Sequence, residues 1–197
     1  MNAQALVLLS AAGLGDLDIE VLAIAGDRVL VQGVDQSDGR TLLGSVRGLR
    51  GGRPTHVATY RGPSLAPARS QLAGSHDLAV AEQAARSYFD LLDSGRVDLA
   101  AECFSLDATY DVPMGEGSRR LCVGRSEILG WFHERGTSPA RHHVEIVAAA
   151  GAGRFLVDGW VSGGPAGPAS FMSSLRVCVD SLITDYAAVM QVPRVQG

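Results

Sequence analysis

The chain has 197 residues, of which 46% are hydrophobic and 19% charged, and its formal net charge is -4. This composition supplies enough apolar material for a folded core and excludes a disordered protein. Because nucleic-acid binding usually appears as an excess of basic residues, the acidic balance argues against a DNA or RNA partner.

The first 62 residues are predicted to form an all-β segment. Apolar and polar residues alternate there as in a half-buried antiparallel sheet, over 19–25, 28–34, 41–49 and 55–60. Turn signals separate these strands at Gly26-Asp27, Asp38-Gly39 and Gly51-Gly52. Residues 63–74 are rich in proline and small residues and are predicted to be a linker.

Residues 75–197 are predicted to form a mixed α+β domain. Ser75 or Asp77 caps a first helix that runs to about Ser94 and is stopped by Gly95. Its apolar stripe, with a spacing of three or four residues, consists of Leu78, Ala81, Ala85, Tyr88 and Leu92. A second helix follows at about 98–104, a strand at about 108–112 and a third helix at about 126–135. Four strands complete the domain, at about 141–149, 154–162, 169–179 and 182–190.

The last four strands resemble the first segment in sequence. Residues 20–23 match 145–148, residues 28–33 match 154–159, and Val46-Arg47 matches Leu175-Arg176. Two explanations stay open: chance similarity of two amphipathic sheets, or a duplicated domain whose first copy kept its sheet and lost its helices. A fused half-copy could cover the C-terminal sheet within the chain or broaden a dimer interface, and we expect residues 19–60 to pack on that sheet.

Five short motifs stand in a particular order in the mixed domain. They are YFDLLDSG at 88–95, DLAAECF at 98–104, DATYD at 107–111, GRSEI at 124–128 and Arg141-His142. In this order they resemble the nuclear transport factor 2-like, or SnoaL-like, superfamily, which includes relatives of ketosteroid isomerase and scytalone dehydratase. The resemblance covers about residues 77–191. It implies a cone-shaped, curved antiparallel sheet wrapped around three helices, with a pocket between them.

Three residues are candidates for catalysis. His142 shares a strand face with the apolar Val144, Ile146 and Ala148, so its ring should point inward, where an imidazole can move a proton near neutral pH. The alternative is a histidine at the edge of the strand that is hydrogen-bonded into the core. Tyr88 lies in the centre of the first helix's apolar stripe. The resemblance implies that its hydroxyl donates to a developing enolate, and the alternative is a core tyrosine whose hydroxyl binds any partner. Asp158 either lies in the cone, where burial would make it basic, or faces outward and pairs with Arg154.

Further side chains are predicted to line the pocket and bind the substrate. They are Tyr110, Val112, Trp131, Phe132, Ile146, Trp160 and Met172. The competing interpretation places Trp131 and Phe132 in the core. For Trp160 it places the side chain on the outside of the sheet.

Several activities of the superfamily are disfavoured by missing residues. Steroid isomerases carry an Asp directly before a Pro on the first strand, but Val112 precedes Pro113 here and Asp111 lies one position earlier. Limonene epoxide hydrolase-like members need an Arg and an Asp two positions apart on a strand, and the last four predicted strands contain no such pair. The adjacent His142 and His143 point in opposite directions, which argues against a metal site.

We therefore expect an isomerase, dehydratase or cyclase that acts on an apolar, polyketide-like carbonyl compound without a cofactor, as in secondary metabolism. The alternatives are a non-catalytic ligand-binding or assembly module of the same fold and an epoxide hydrolase/cyclase-like enzyme. The expected partner is a small apolar molecule, together with a possible homodimer through the sheet.

Cysteine usage and hydropathy favour the cytoplasm. The three cysteines are odd in number and form no CxxC pair, which is typical of reduced thiols. No apolar run reaches the ~20 residues needed to span a bilayer. A signal peptide usually has a basic residue before its apolar stretch, but no basic residue precedes the apolar residues 3–14.

Overall fold

A computed structural model describes the chain in nine stretches: residue 7, 9–14, 17–36, 41–50, 53–62, 74–115, 118–151, 153–164 and 167–191. The predicted linker, apart from Gly74, and the predicted turns at Asp38-Gly39 and Gly51-Gly52 lie outside these residues. No helix among the described residues is long and apolar enough to cross a membrane.

The N-terminal segment forms a four-stranded antiparallel sheet in which each strand pairs with the next along the chain. Its strands are β1 (Leu17–Ala25), β2 (Arg28–Asp35), β3 (Thr41–Arg50) and β4 (Arg53–Gly62). The predicted strands of this part of the chain are therefore present, whereas residues 9–11 before them are helical.

The C-terminal domain combines three helices with a six-stranded sheet. The helices are α1 (Leu78–Asp93), α2 (Val97–Glu102) and α3 (Arg125–Arg135). The strands are β5 (Phe104–Gly115), β6 (Ser118–Val123), β7 (Arg141–Ala149), β8 (Arg154–Ser162), β9 (Ala169–Val177) and β10 (Ile183–Gln191). Their order in the sheet is β6-β5-β10-β9-β8-β7.

This arrangement confirms the predicted α+β fold class and adds two features to it. The β5–β10 pair is parallel, so the sheet is mixed, whereas its other neighbouring strands are antiparallel. Strand β6 was not predicted, because Arg119 and Arg120 interrupt any apolar alternation in its short sequence.

Helix α1 begins and ends as its sequence predicts. The Asp77 carboxylate accepts a hydrogen bond of 2.9 Å from the backbone N–H of Ala79, which caps the first turn. Gly95 adopts a left-handed φ of 76° just beyond the helix, a conformation that favours glycine. Between these ends the helix buries Ala81, Ala84, Ala85, Tyr88, Phe89 and Leu92 against the inner face of the large sheet.

The outer face of the large sheet is covered by the N-terminal sheet. Strands β1, β2, β3 and β4 lie against β7, β8, β9 and β10, respectively. Between the sheets is an apolar layer that includes Leu30 and Leu43 on one side and Leu156 and Met172 on the other. The expected packing of residues 19–60 on the C-terminal sheet is therefore observed, whereas the homodimer through the sheet stays a prediction.

A bulge in β7 divides the side chains of this strand between the two cores. The register with β8 shifts between Val144 and Ile146, so Glu145 is the extra residue. Before the bulge, Val144 packs against the helix side of the sheet. After it, Ile146 and Ala148 face the N-terminal sheet, and Val147 faces the helices. An unbroken strand would have placed His142, Ile146 and Ala148 on one face.

Strands β1–β2 repeat the pairing of β7–β8 in detail. Leu22 pairs with Val31 as Val147 pairs with Val157, and β1 has its own bulge between Ile19 and Val21. A glycine lies opposite each bulge, at Gly33 and Gly159. A Cβ there would lie 2.6 Å and 2.3 Å from the carbonyl oxygens of Asp18 and His143, respectively. Duplication of one sheet predicts such coincidences, whereas chance similarity gives no reason for a shared bulge.

A buried ionic cluster joins the two sheets. The Arg28 guanidinium donates hydrogen bonds to the carboxylates of Asp158 and Glu145, the latter at 2.9 Å. The Ser45 hydroxyl donates to Asp158 at 2.7 Å, and Arg47 also binds Glu145. Arg28 and Asp158 are each only 5% exposed. Such a pair fixes the relative position of the sheets, because either charge alone would be costly to bury.

We therefore expect Arg28→Met to lower the free energy of unfolding by about 3–5 kcal/mol, since it leaves the buried Asp158 carboxylate without its guanidinium. Glu82→Gln is the control, because the Glu82–Arg86 pair of α1 is exposed and such pairs contribute about 0.3–0.5 kcal/mol. Urea denaturation measures both changes. An Arg28→Met variant as stable as the control would contradict a structural role for the cluster.

Candidate active site

A cavity of about 90 Å³ lies between helices α1 and α3 and the inner face of the large sheet. Its lining is formed by Tyr88, Leu92, Tyr110, Val112, Pro113, Trp131, Arg135, His142, Phe171, Tyr186, Ala188 and Met190. The volume is below the ~300–1,000 Å³ of pockets that enclose drug-sized ligands. It therefore suits a small molecule, or the reacting end of a larger one.

His142 is held at the cavity by Asp93, the last residue of α1. The ring Nδ1 lies 2.7 Å from Asp93 Oδ1, and the backbone N–H of His142 donates to Asp93 Oδ2. Phe89 stacks on the imidazole at 4.6 Å between centroids, and Phe171 meets it edge-on at 5.5 Å. Two hydrogen bonds and two aromatic rings therefore fix the orientation of this side chain.

The ionisation of Asp93 determines which nitrogen of His142 is available to the cavity. Burial alone would raise the pKa of Asp93, but the hydrogen bonds and charge of His142 outweigh it, and the pKa is lowered. An ionised carboxylate only accepts hydrogen bonds, so Nδ1 of His142 must carry the proton in this pair. In the neutral ring Nε2 then has the free lone pair, which is the arrangement of a general base.

Tyrosine hydroxyls provide the second chemical group of the cavity. The hydroxyls of Tyr88 and Tyr110 are 2.8 Å apart, and the ring of Tyr186 stacks on Tyr110 at 5.1 Å. Burial raises the pKa of Tyr88 well above its ordinary value and that of Tyr110 to about 12. Both phenols therefore stay protonated near neutral pH, and one of them can donate to a ligand while it accepts from the other.

The structure brings together five of the residues predicted for the site. Tyr88, Tyr110, Val112, Trp131 and His142 all line the cavity. Phe132 lies in the adjacent core, where its ring stacks on Tyr88 at 6.2 Å between centroids. It supports the wall and is not among the lining residues.

The other four predicted site residues lie on the opposite face of the sheet, and their assignment to the pocket is wrong. Asp158 binds Arg28 and Ser45 between the sheets, because its strand turns this face outward. Ile146 and Met172 belong to the apolar layer between the sheets, Ile146 as a consequence of the bulge. Trp160 is 38% exposed and stacks on His143 at 3.8 Å, outside the cavity.

Sequence reasoning missed several residues of the site, of which Asp93 and Arg135 matter most. Asp93 lies four positions after the buried Phe89, so it continues the inward face of α1 beyond the last apolar residue. An acidic residue at that position was an available signal. Arg135 gave no such signal, because a basic residue in the last turn of a helix is common on any surface.

Two aspartates of the described domain, Asp93 and Asp111, are each paired with a basic side chain. Among the described residues, none of those that line the cavity carries a carboxylate. Asp111 pairs with Arg119 at 2.7 Å. Within the described part of the chain, no group of three or more His, Cys, Asp or Glu side chains could hold a metal ion.

The family model of the SnoaL-like domain matches residues 85–186, which is more than half of the chain. The chain therefore belongs to the SnoaL-like family, and the predicted resemblance is confirmed. The matched segment runs from the middle of α1 to β10 and contains Asp93, Tyr88, Tyr110, Trp131, Arg135 and His142. No curated protein sequence matches the chain.

Solved structures resemble the chain in fold. One is a protein of unknown function with a cystatin-like fold from Methylobium petroleophilum. Its sequence identity is 17%, the alignment covers 61% of this chain and 82% of that chain, and the TM-score is 0.49. An NTF-2 like protein from Burkholderia xenovorans has 18% identity, 60% and 88% coverage, and a TM-score of 0.48. The epoxide hydrolase/cyclase-like enzyme SalBIII, which acts in pyran ring formation in the polyether salinomycin, has 16% identity, 60% and 100% coverage, and a TM-score of 0.49.

The lowered pKa of Asp93 gives a prediction for the pH dependence of stability. Its ordinary value is 3.8, so ionised Asp93 stabilises the fold fully above about pH 5, and this stabilisation is lost as the pH falls through and below that value. Asp93→Asn should therefore lower the free energy of unfolding by about 1–3 kcal/mol at pH 7. The difference from the wild type should shrink towards pH 2.

Urea denaturation across this pH range measures the effect, and Asp90→Asn is the control because Asp90 is exposed on the same helix. The Asp90 variant should differ little from the wild type at any pH. A deficit of Asp93→Asn that is equal at pH 7 and pH 2 would show that the carboxylate charge plays no part.

Proposed function

We propose that this protein catalyses proton transfer on a small carbonyl compound, as an isomerase, dehydratase or cyclase that needs only its own side chains. The observation that carries the proposal is the Asp93–His142 pair at a cavity that Tyr88 and Tyr110, whose hydroxyls are hydrogen-bonded to each other, also line. Membership of the SnoaL-like family is consistent with this activity but does not specify it, because one fold hosts many functions.

His142 acts as the general base. Its Nε2 removes a proton from the carbon next to the substrate carbonyl, and Asp93 stabilises the imidazolium that forms. The electron pair of the broken C–H bond moves to the carbonyl oxygen and gives an enolate. The imidazolium then returns the proton, either to another carbon, which isomerises the substrate, or to a leaving hydroxyl, which dehydrates it.

The tyrosine pair binds the oxygen on which the negative charge develops. A phenol with a raised pKa keeps its proton and donates a hydrogen bond, and the second phenol in the pair strengthens that donor. The cavity supports this role because it is walled by apolar and aromatic side chains such as Leu92, Val112 and Phe171, which limit competition from water.

The ligand-binding alternative uses the same cavity without the proton transfer. The epoxide hydrolase/cyclase-like alternative has less support, because the described lining residues offer no carboxylate that could attack or activate an epoxide directly. The polyketide substrate and the cytoplasmic location remain expectations from the sequence, and the small volume of the cavity favours a compact reacting group.

Exchange of the α-protons of cyclohexanone in D₂O, followed by ¹H NMR, tests the proposal without knowledge of the natural substrate. The wild type should accelerate the exchange, and His142→Gln should slow the enzyme-dependent rate by about 10²–10⁴-fold, the usual contribution of a general base. Tyr88→Phe should slow it by about 10²-fold through loss of an oxyanion donor.

His143→Gln is the matched control, because His143 is the neighbouring imidazole but stacks on Trp160 outside the cavity. It should retain the wild-type exchange rate. If cyclohexanone binds but exchanges equally fast with the wild type and with His142→Gln, the protein is a binding module and the catalytic proposal fails.

A further inference from the structure

Two polar side chains of α3 line the cavity and have no role in the proton transfer. Trp131 and Arg135 lie four residues apart on this helix, so they share one of its faces, and both belong to the lining. Together they form the α3 side of the cavity, whereas His142 lies on the sheet side.

The indole N–H of Trp131 is a buried donor without an acceptor. Trp131 is 8% exposed, and its Nε1 has no hydrogen-bond partner among the described residues. Buried donors in folded proteins nearly always have a partner, so an exception on a residue that lines a cavity points to a ligand. An oxygen atom of a bound molecule would supply the missing acceptor.

Arg135 brings a permanent positive charge to the same place. A guanidinium is ionised at all physiological pH values, and no ion pair of Arg135 occurs among the described residues. Its charge opposes the burial that raises the pKa of Tyr88 and of Tyr110, which places it within electrostatic reach of both phenols. The described lining residues contain no carboxylate that would neutralise this charge.

The exposure of these residues gives the cavity a direction. Arg135 is exposed, Trp131 is 8% exposed, and Tyr88 is 1% exposed. A ligand that reaches both ends would therefore place its anionic group beside Arg135 at the opening and its carbonyl oxygen beside the phenols at the base.

We infer that the substrate of the proposed reaction is a small carbonyl compound that also carries a carboxylate, which Arg135 binds through its guanidinium and Trp131 through its indole N–H. A planar carboxylate matches the donors of a guanidinium, and the charge strengthens the hydrogen bonds. The inference rests on the proposed function for the role of the carbonyl group, but the carboxylate subsite can be tested without catalysis.

Benzoate and benzamide are suitable probes, because they share size and shape and differ in charge. The chain contains two tryptophans, so its ¹H–¹⁵N spectrum has two indole signals, and Trp160→Phe identifies the one from Trp131. Benzoate should move the Trp131 indole proton downfield and bind about 10–100-fold more tightly than benzamide, as expected for a charge-assisted hydrogen bond.

Arg135→Gln should abolish the preference for benzoate over benzamide. Arg141→Gln should keep it, because Arg141 precedes His142 in β7 but is not among the lining residues. His142→Gln should also keep it, although this variant loses the exchange of cyclohexanone protons. The carboxylate subsite is therefore tested by Arg135→Gln through the preference for benzoate, and the proton transfer is tested by His142→Gln through the exchange of cyclohexanone protons.

Equal affinity of the wild type for both probes would overturn the inference and leave the proton-transfer proposal standing. A preference that survives in Arg135→Gln but disappears in His142→Gln would also overturn it, since the charge would then lie in the imidazole pair. If neither probe binds and cyclohexanone protons do not exchange, both the subsite and the proposed function fail.

Discussion

The bulge at Glu145 determines which side chains of β7 pack against the helices and which pack against the N-terminal sheet. On one side of it, His142 and Val144 face the helices, and on the other side Ile146 and Ala148 face the N-terminal sheet. Without the extra residue, Ile146 and Ala148 would point to the same face as His142, because a shift of one residue moves every following side chain to the other face. Gly159 permits this geometry, since a Cβ there would collide with the His143 carbonyl.

The N-terminal sheet contributes to the site by fixing the strands behind it. Arg28 binds Asp158 and Glu145, which belong to β8 and to the bulge of β7. The strand that carries His142 is thus held on its outer face by an ionic cluster and on its inner face by Asp93 and Phe89. Under the proposed function, an imidazole fixed from both sides would need little reorganisation to accept a proton.

Much of the fold could be predicted from the sequence, because its elements have strong local signals. The bounds of β7 and β8 follow from alternation, those of α1 from a capping aspartate and a terminal glycine, and the family from motifs in order. Strand β6 could not be predicted in this way, since its two arginines remove the alternation. Its existence depends on pairing with β5, which is a tertiary effect.

The candidate site could be predicted only in part, for physical reasons that differ between residues. Tyr88 and His142 were found because each lies on an apolar face of its own element. Ile146 was misplaced because strand parity depends on a bulge, and a bulge leaves no simple trace in one sequence. Asp158 was misplaced because the alternation along β8 does not say which of its two faces points to the helices. Asp93 and Arg135 join the site through packing between elements, since α1 contacts β7 and α3 contacts β5 and β6, and local patterns do not report such contacts.

The state of the His142 ring is the most direct test of this account, because the proposed chemistry requires a particular nitrogen to face the cavity. Long-range ¹H–¹⁵N correlation spectra distinguish the two nitrogens of each neutral imidazole and show which one is protonated. We predict a proton on Nδ1 of His142, shared with Asp93, and an unprotonated Nε2 whose signal moves when cyclohexanone is added. A proton on Nε2, or an Nε2 signal that does not respond to the ligand, would contradict it.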